Sequence, residues 1–547
     1  MSSVQVTYAI ASAERNSSML QSSDTQPAAA NRAPLPAEAP ILREGDTCWR
    51  IARARRFAVI VDAADYFARL KEALLEARHS VLLIGWDFDL RIRLTPDDPD
   101  DGEVRLGEFL KHLVRQRPDL RIYILKWDMA VLFTLRWEAL PMMFSDLVVT
   151  RRIHLRFDSK HPPTAAHHQK IAVIDDAIAF CGGIDMTDHR WDTRAHDSHD
   201  AHRIDPEGET YGPWHDSTTA VDGEAARALG DLARERWRCA TGQRLRRPDA
   251  DFDAWPNELV PQLHDVAVGV ARTMPAYEGR PAAHEVERLY IAAIHSARRT
   301  IYIESQFFAS AAIAEALAKR LKEPDGPEVI VVNPRHSASW LEQETMDSAR
   351  ALIVKRVRDA DHHDRFRIYY PVNESGEAIY VHSKVLAVDD RLLRVGSSNI
   401  NNRSMGFDSE CDLAVEANPR EPDIAPAVVG IRNGLLAEHL GVPVEAVARA
   451  VDDHGSMMAA IESLRRPQGR TLELLPVRQL CDLESALAES RIADPERPVK
   501  PESLLKHGVK RIFLRQPLAA SAALGLAALG GYWAVRSAAK RSRRAAS

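Results

Sequence analysis

The sequence lacks the features that identify several common classes of protein. Its five cysteines lie far apart, so it contains no short-spaced pair of the kind that binds zinc or exchanges disulfides. Basic and acidic residues nearly balance at 72 and 78, and the resulting net charge of −6 provides no global field that attracts a nucleic-acid backbone. We therefore expect reduced cysteines and no nucleic-acid partner.

The two ends of the chain differ in composition. Residues 1–40 are rich in Ser, Ala, Pro and Gln and lack the basic start and apolar core of a secretory signal, which predicts a disordered leader. Residues 517–535 carry no charge and have basic residues on both sides, so we predict an apolar helix that spans or associates with a membrane. Their high Ala and Gly content also fits a soluble helical hairpin. We expect a location on the cytoplasmic side of a membrane, or another membrane-associated location.

Between these ends, helix-like and strand-like segments alternate, and their order recurs. In the first half a helical pattern over residues 64–80 precedes VLLIGWDFDL and RIYILKW. In the second half AAIHSARRTIYIESQFF precedes EVIVVNP and FRIYYPV. The pattern predicts two similar α/β sandwich lobes over residues 41–250 and 251–450, followed by a helical extension over 451–510.

The clearest repeat lies at the end of each half. The first copy reads HHQKIAVIDDAIAFCGG and the second VHSKVLAVDDRLLRVGSSN, with the same fourteen-residue distance from the histidine to the first following glycine. The two equivalent sets are His168, Lys170 and Asp175, and His382, Lys384 and Asp389. One copy alone also fits a strand with an edge histidine and a solvated lysine, but the doubled spacing favours a shared site.

Histidine and lysine two residues apart on a strand face the same side, so each pair can reach one phosphate. A lysine ammonium stabilises charge on the non-bridging oxygens, and a neutral imidazole can attack phosphorus. Two histidines allow a two-step displacement, in which one forms a phosphohistidine and the other transfers protons. This chemistry requires no metal and no other cofactor.

The doubled HxKxxxxD pattern, followed by GG after one copy and GSxN after the other, resembles the phospholipase D superfamily. The segments GWDFDL, GGIDMTDHRWD, PWHD, SSNINNRSMGFDSE and EHLG resemble its lipid-active phospholipase D, or transphosphatidylase, branch. The resemblance covers about residues 41–441. It implies a pseudo-symmetric bilobal fold of two α-β-α sandwich lobes.

The resemblance also implies roles for single residues. His168 would be the nucleophile and His382 the general acid and base, although the residues alone leave that choice open. Each imidazole needs an acceptor at its other ring nitrogen to select the tautomer. By similarity Glu410 would orient one imidazole and Asp192 the other; the alternative is that both are exposed loop carboxylates.

The remaining candidates lie beside the two motifs. Asp175 and Asp389 are the last residues of the two catalytic motifs. They follow the strands, at the points where turns begin, so we expect them to have a structural role. Ser397, Asn399 and Gly183 are predicted to bind the substrate phosphate; Gly183 is the counterpart of Ser397 in the first copy, which lacks the serine.

The polar stretch over residues 185–215 contains several histidines and aspartates. The histidines at its centre are His189, His196, His199 and His202. Their spacing fits no compact ligand set, so we predict a solvated loop over the mouth of the site and no metal. A departure from the family occurs at IESQFF, where IENQYF is more usual, and this puts the substrate preference in doubt.

The implied activity is hydrolysis of the distal phosphodiester of a glycerophospholipid to phosphatidic acid and a free headgroup alcohol, together with transphosphatidylation. A cardiolipin-synthase-like phosphatidyltransferase would use the same histidines, and a nuclease of the superfamily is disfavoured by the net negative charge. A non-enzymatic adaptor would normally have lost a His or Lys from one copy. We expect a monomer that acts on glycerophospholipid at a membrane surface.

Overall fold

The computed structural model describes the chain in five ranges and four single residues. These are residues 39–99, 102–128, 151–249, 252–337 and 343–476, with 478, 480, 494 and 495. The expected leader, apart from its last two residues, and the expected apolar helix at 517–535 lie outside the described residues. Within the described part, none of the helices combines the length and the hydropathy needed to cross a bilayer.

The described first half contains eight strands and three helices. The strands are β1 (Arg50–Val61), β2 (Ser80–Gly85), β3 (Arg121–Trp127), β4 (Ile153–Asp158), β5 (Ile171–Ile174), β6 (Ile178–Gly182), β7 (Trp214–His215) and β8 (Ser217–Asp222). The helices are α1 (Ala63–Glu76), α2 (Leu106–Gln116) and α3 (Gly223–Thr241).

The described second half repeats this order with additions. Its strands are β9 (Leu263–Met274), β10 (Ala283–His284), β11 (Thr300–Glu304), β12 (Glu328–Val332), β13 (Phe366–Val372), β14 (Tyr380–Val381), β15 (Val385–Val388), β16 (Leu392–Gly396), β17 (Glu410–Glu416) and β18 (Thr471–Leu474). Its helices are α4 (Glu285–Ser296), α5 (Ala311–Leu321), α6 (Ser348–Ala360), α7 (Asn402–Gly406), α8 (Ile424–Leu440), α9 (Val444–His454) and α10 (Met457–Leu464), with a π-helical turn at Gln343–Asp347.

All described strands except β7 and β14 belong to one sixteen-stranded sheet. The long antiparallel strands β1 and β9 pair at its centre. Outward from β1 the order is β8, β6, β5, β2, β3 and β4, and outward from β9 it is β17, β16, β15, β11, β12 and β13. Both series have the same succession of four antiparallel and then two parallel pairings. The repeated sequence order therefore forms a pseudo-symmetric α/β fold, as predicted.

The sheet has helices on both faces, and β2 shows why. Val81 and Leu83 belong to the core packed against α1 and α2, whereas Leu82 and Ile84 belong to the core packed against α3 and α8. A strand that is buried on both faces must be apolar at successive positions, which explains the run VLLI. The second half has the same arrangement, with α4, α5 and α6 over one face of β11.

The predicted C-terminal extension is helical only in part. It begins with the end of α9 and continues with α10, as expected. Thr471–Leu474 instead forms β18, which pairs antiparallel with β13 and lengthens the sheet at the second-half edge. The expected boundary at residue 250 lies between α3 and β9.

The motif aspartates lie at the turns of the hairpins β5–β6 and β15–β16. Asp175 and Asp389 have φ values of 52° and 54°, in the left-handed region that short polar residues tolerate at turns. Each carboxylate accepts hydrogen bonds from three successive backbone N–H groups at the start of a neighbouring strand. The donors are Arg78, His79 and Ser80 for Asp175, and Arg298, Arg299 and Thr300 for Asp389. These carboxylates fix the hairpins to β2 and β11, which is the structural role expected for them.

Candidate active site

Each motif histidine is held by a backbone contact from the opposite half. His168 follows a parallel bridge between His167 and Ser409, and its N–H donates to the Ser409 carbonyl at 3.0 Å. His382 follows the parallel pair β14–β7, and its N–H donates to the His215 carbonyl at 2.8 Å. Because Ser409 and His215 each precede a carboxylate residue, both bridges bring a histidine beside an acid.

The resulting imidazole–carboxylate pairs cross between the halves. Nδ1 of His168 lies 3.0 and 3.1 Å from the carboxylate oxygens of Glu410, at the start of β17. Nδ1 of His382 lies 2.6 Å from Oδ2 of Asp216, directly before β8. A carboxylate at Nδ1 favours the tautomer with its proton there, which leaves Nε2 free to attack phosphorus or to carry a transferred proton.

The two lysines join both histidines in one site. Burial is the main reason that the pKa of each imidazole lies well below its usual range, and Lys170 and Lys384 both add to the shift at His168 and at His382. The Nζ atom of Lys170 also lies 3.1 Å from Oδ2 of Asp185, and both side chains are buried. Two lysines and two imidazoles therefore act on a common space, where an anionic phosphodiester would be stabilised.

Burial also shifts the pKa values of Lys384 and Glu410. It lowers the pKa of Lys384 to about 7 and raises that of Glu410 to about 8, although Ser397 and Ser404 donate to Glu410 and oppose the second shift. All these shifts favour uncharged forms because the groups have lost hydration. A bound phosphodiester anion would favour the protonated lysine, and the positive charge that develops on the His168 ring would favour the ionised Glu410.

Asp192 does not orient a motif histidine, contrary to the expectation. Its carboxylate contacts Nδ1 of His196 at 2.8 Å and the guanidinium of Arg203 at 3.1 Å, and it accepts the backbone N–H of Trp214. Asp216, which was not predicted from the sequence, orients the imidazole of His382 instead. The segment PWHD contained the signal, because it places this carboxylate immediately before β8.

The three residues predicted to bind the phosphate make the following contacts within the protein. The hydroxyl of Ser397 donates to Oε2 of Glu410 at 2.6 Å, so it holds the orienting carboxylate. At Gly183 a Cβ atom would lie 2.1 Å from Oδ1 of Asp216, so the glycine is required for the close approach of that carboxylate. The third, Asn399, donates to the side chain of Gln306 at 3.2 Å.

The 185–215 segment is packed into the protein only in part, whereas the sequence predicted a solvated loop. His196 and Arg203 are fully buried, and Asp185 and Asp192 are 3% and 0% exposed. Other parts of the segment, including His199 and His202, are exposed as predicted. The misjudged burial followed from its polar composition, because the partners of these side chains come from elsewhere in the chain.

An aromatic wall, formed by Trp214 and Tyr380, lies on the His382 side of the site. The Trp214 ring lies 5.2 Å from the imidazole of His382 and stacks on Tyr380 at 4.5 Å. The guanidinium of Arg190 lies 4.3 Å from the centre of the Trp214 ring and is a further cause of the lowered His382 pKa. These three residues were not identified from the sequence.

Comparison with known proteins supports the family resemblance of the sequence. A phospholipase D family model matches residues 73–320, and a cardiolipin synthase, phospholipase D-like domain model matches residues 290–425. Phospholipase D A of Dictyostelium discoideum is 25% identical over 70% of this chain and 35% of its own length. Phospholipase D alpha 4 of Arabidopsis thaliana is 23% identical over 70% of this chain and 64% of its own length. The chain thus spans from about a third to just under two thirds of these relatives.

Among solved structures, a phosphatidylserine synthase of Haemophilus influenzae aligns with a TM-score of 0.48 and 11% identity, over 76% of this chain and 97% of that one. The phospholipase D family member Nuc of Salmonella typhimurium aligns with a TM-score of 0.22 and 18% identity, over 30% of this chain and 91% of that one. The two matching family models and the curated relatives show that the chain belongs to the phospholipase D superfamily.

Proposed function

We propose that the protein is a phospholipase D that hydrolyses the distal phosphodiester of a glycerophospholipid to phosphatidic acid and a headgroup alcohol. One observation carries the proposal: two imidazoles, each oriented by a buried carboxylate from the opposite half, share a site with two buried lysines. This set supplies a nucleophile, a proton carrier and charge stabilisation without further groups.

In the first step Nε2 of His168 attacks phosphorus, and the bond from phosphorus to the headgroup oxygen breaks. His382, whose imidazolium form the bound phosphodiester anion favours, gives its Nε2 proton to the departing alcohol. The product is a phosphohistidine, and the two roles follow the family pattern. Glu410 stabilises the positive charge that develops on the His168 ring as the phosphorus–nitrogen bond forms.

In the second step His382 removes a proton from water, whose oxygen attacks phosphorus as the phosphorus–nitrogen bond breaks. Phosphatidic acid leaves and both imidazoles return to their first state. A primary alcohol in place of water gives a phosphatidyl alcohol, so transphosphatidylation uses the same site. Lys170 and Lys384 stabilise the non-bridging oxygens in both steps.

The lipid substrate is supported by the relatives, which are named as phospholipases D, and by the segments of the lipid-active branch. We place the enzyme at a membrane surface on the cytoplasmic side, with residues 517–535 as the attachment. The cardiolipin synthase-like match over residues 290–425 favours a second candidate, in which the acceptor is another phospholipid.

The test is a product analysis with the full-length purified protein. Vesicles of phosphatidylcholine are incubated with and without 1-butanol, and vesicles of phosphatidylglycerol are incubated alone. We expect phosphatidic acid and free choline, and phosphatidylbutanol when the alcohol is present. Cardiolipin from phosphatidylglycerol, with no phosphatidic acid from either lipid, would select the transferase. No lipid product under any condition, from folded protein, would reject both.

A further inference from the structure

A cluster of four buried side chains lies directly behind the His382 side of the site. It consists of Asp62 between β1 and α1, His196 in the 185–215 segment, His215 in β7, and Glu438 in α8. Their donor atoms all lie within 4.8 Å of one another. The four side chains are between 0% and 3% exposed.

The distances between the imidazole and carboxylate donors match those between the ligands of a tetrahedral metal site. Nε2 of His196 lies 3.4 Å from Oδ2 of Asp62 and 3.3 Å from Oε1 of Glu438. Nδ1 of His215 lies 3.2 Å from Oδ1 of Asp62 and 2.8 Å from the same Glu438 oxygen. Ligands that surround a zinc ion at its usual bond lengths are about 3.3 Å apart. Both imidazoles therefore face both carboxylates at distances that suit a shared ion.

Two of these atoms make no hydrogen bond within the described part of the chain. Nδ1 of His215 and Oδ2 of Asp62 are buried without a partner of acceptable geometry, despite the short distances around them. A buried N–H or carboxylate oxygen that lacks a partner is costly, so such atoms need an explanation. A cation at their common centre would satisfy both.

The outward-facing nitrogens of both rings have the partners that metal-binding histidines usually have. Nδ1 of His196 lies 2.8 Å from Oδ2 of Asp192, and Nε2 of His215 lies 3.0 Å from Oε2 of Glu304. A second carboxylate at the other ring nitrogen fixes the tautomer and makes the imidazole a better ligand. Arg203 donates a hydrogen bond to Asp192, which fixes the carboxylate that contacts His196.

The charge of the cluster also fits. Two carboxylates and two neutral imidazoles carry two negative charges, which a divalent cation neutralises in an interior that water does not reach. The other way to balance the charge is to protonate both rings. That arrangement leaves the buried Nδ1–H of His215 without an acceptor of good geometry.

We propose that Asp62, His196, His215 and Glu438 bind one divalent transition-metal ion in a closed tetrahedral site. Zn²⁺ matches two nitrogen and two oxygen ligands best. The ion is structural: it links β1 and the 185–215 segment to α8 of the second half. It also positions the active site, because Oδ1 of Asp62 accepts the backbone N–H of Asp216 at 3.0 Å.

The test measures metal content. Full-length protein is purified without chelators, dialysed against metal-free buffer and analysed by inductively coupled plasma mass spectrometry. We expect one zinc ion per chain, and far less in His196→Gln and Glu438→Gln. The matched control is His167→Gln, because His167 is also buried beside a carboxylate, that of Asp158, but lies outside the cluster. It should keep the wild-type metal content.

A second measurement uses only the wild-type chain, so it does not depend on the folding of the variants. Removal of the ion with dipicolinate should lower Tm, Zn²⁺ should restore it, and Co²⁺ should give the strong visible absorption of tetrahedral coordination. Folded protein without a stoichiometric metal, with a Tm that neither dipicolinate nor Zn²⁺ changes, would overturn the proposal. Full metal content in both glutamine variants would overturn it as well, because the ion would then bind elsewhere.

Discussion

The two sides of the active site have the same backbone arrangement, but the side chains around the two motif histidines differ. On one side Glu410, which orients His168, accepts hydrogen bonds from Ser397 and Ser404, and the imidazole is 16% exposed. On the other side the imidazole of His382 is 6% exposed and lies against the aromatic wall. The pseudo-symmetry thus supplies two equivalent imidazoles, whereas their neighbours give them different access.

The lysines show the same contrast in charge. Lys170 lies against the carboxylate of Asp185, whereas the equivalent position in the second half is the neutral Asn399. Burial without that carboxylate agrees with the lowered pKa of Lys384. Two halves with the same fold can therefore place equivalent residues in two different chemical roles when a few neighbouring side chains differ.

Replacement of either histidine should have the largest effect on activity. We expect His168→Ala to remove detectable product and His382→Ala to lower kcat by about 10²–10⁴-fold, because one removes the nucleophile and the other the proton carrier. With a nitrophenyl phosphodiester, which needs little acid catalysis, His382→Ala should accumulate phosphohistidine on His168. Peptide mapping checks this, and phosphate found only on His382 in the His168→Ala protein would reverse the roles.

The crossed carboxylates should come next. Glu410→Gln and Asp216→Asn replace the carboxylate at Nδ1 of His168 and His382 with a neutral amide, which no longer selects the tautomer or stabilises the imidazolium. We therefore expect each to lower kcat by about 10²–10⁴-fold with little change in KM. Steady-state kinetics on defined vesicles measures the effect. An unchanged kcat in either variant would contradict the assigned pairing.

Gly183 offers a direct test of the departure from symmetry. Gly183→Ser makes the first copy resemble the second, which has Ser397 at this position. The new Cβ would meet Oδ1 of Asp216, so we expect displacement of that carboxylate and a loss of kcat of about 10²-fold or more. The opposite change, Ser397→Gly, removes a hydroxyl that donates to Glu410 and accepts the backbone N–H of Cys411, but it displaces no carboxylate and should cost less. Equal losses would show that the two positions are interchangeable.

The sequence was sufficient to predict the parts of the site that depend on local order. Histidine and lysine at a two-residue spacing before an apolar strand, repeated in both halves, identified the residues that the structure brings together. The repeated order of helices and strands likewise predicted the α/β fold with its helices on both faces.

The carboxylate partners could not be predicted in the same way. His168 and Glu410 are 242 residues apart, and His382 and Asp216 are 166 apart, so each pair depends on how the two halves dock. Asp192 lies in a segment rich in acidic residues and was therefore predicted to orient a motif histidine. The path of β7 and β8 shows that Asp216, and not Asp192, lies beside His382. The buried cluster was missed for a similar reason, because Asp62 and Glu438 are distant from the histidines in sequence.

The neutral Asn399 at the position equivalent to Asp185 predicts a pH effect. Lys384 acts as a cation with a pKa of about 7, so kcat/KM should fall as the pH rises through that value and the charge is lost. The charged groups around it are Asp216, Lys170, Glu410 and Arg190. Asn399→Asp places a carboxylate at the position of Asp185, which should raise the pKa and move the alkaline limb of the profile by about one unit. An unchanged limb would show that Lys384 does not set it.

The motif aspartates should show the smallest effect on catalysis. Asp175→Asn and Asp389→Asn each replace, with a neutral amide, a carboxylate that accepts hydrogen bonds from three backbone N–H groups at a hairpin turn. We expect each to lower the free energy of unfolding by about 1.5–3 kcal/mol, because hydrogen bonds to a charged acceptor are lost. Denaturant titration measures this, while kcat of the folded protein should stay within a few-fold of wild type. Because the two turns make equivalent contacts, the two variants should lose similar stability; a large fall in kcat for only one of them would show that its hairpin alone positions the chemistry.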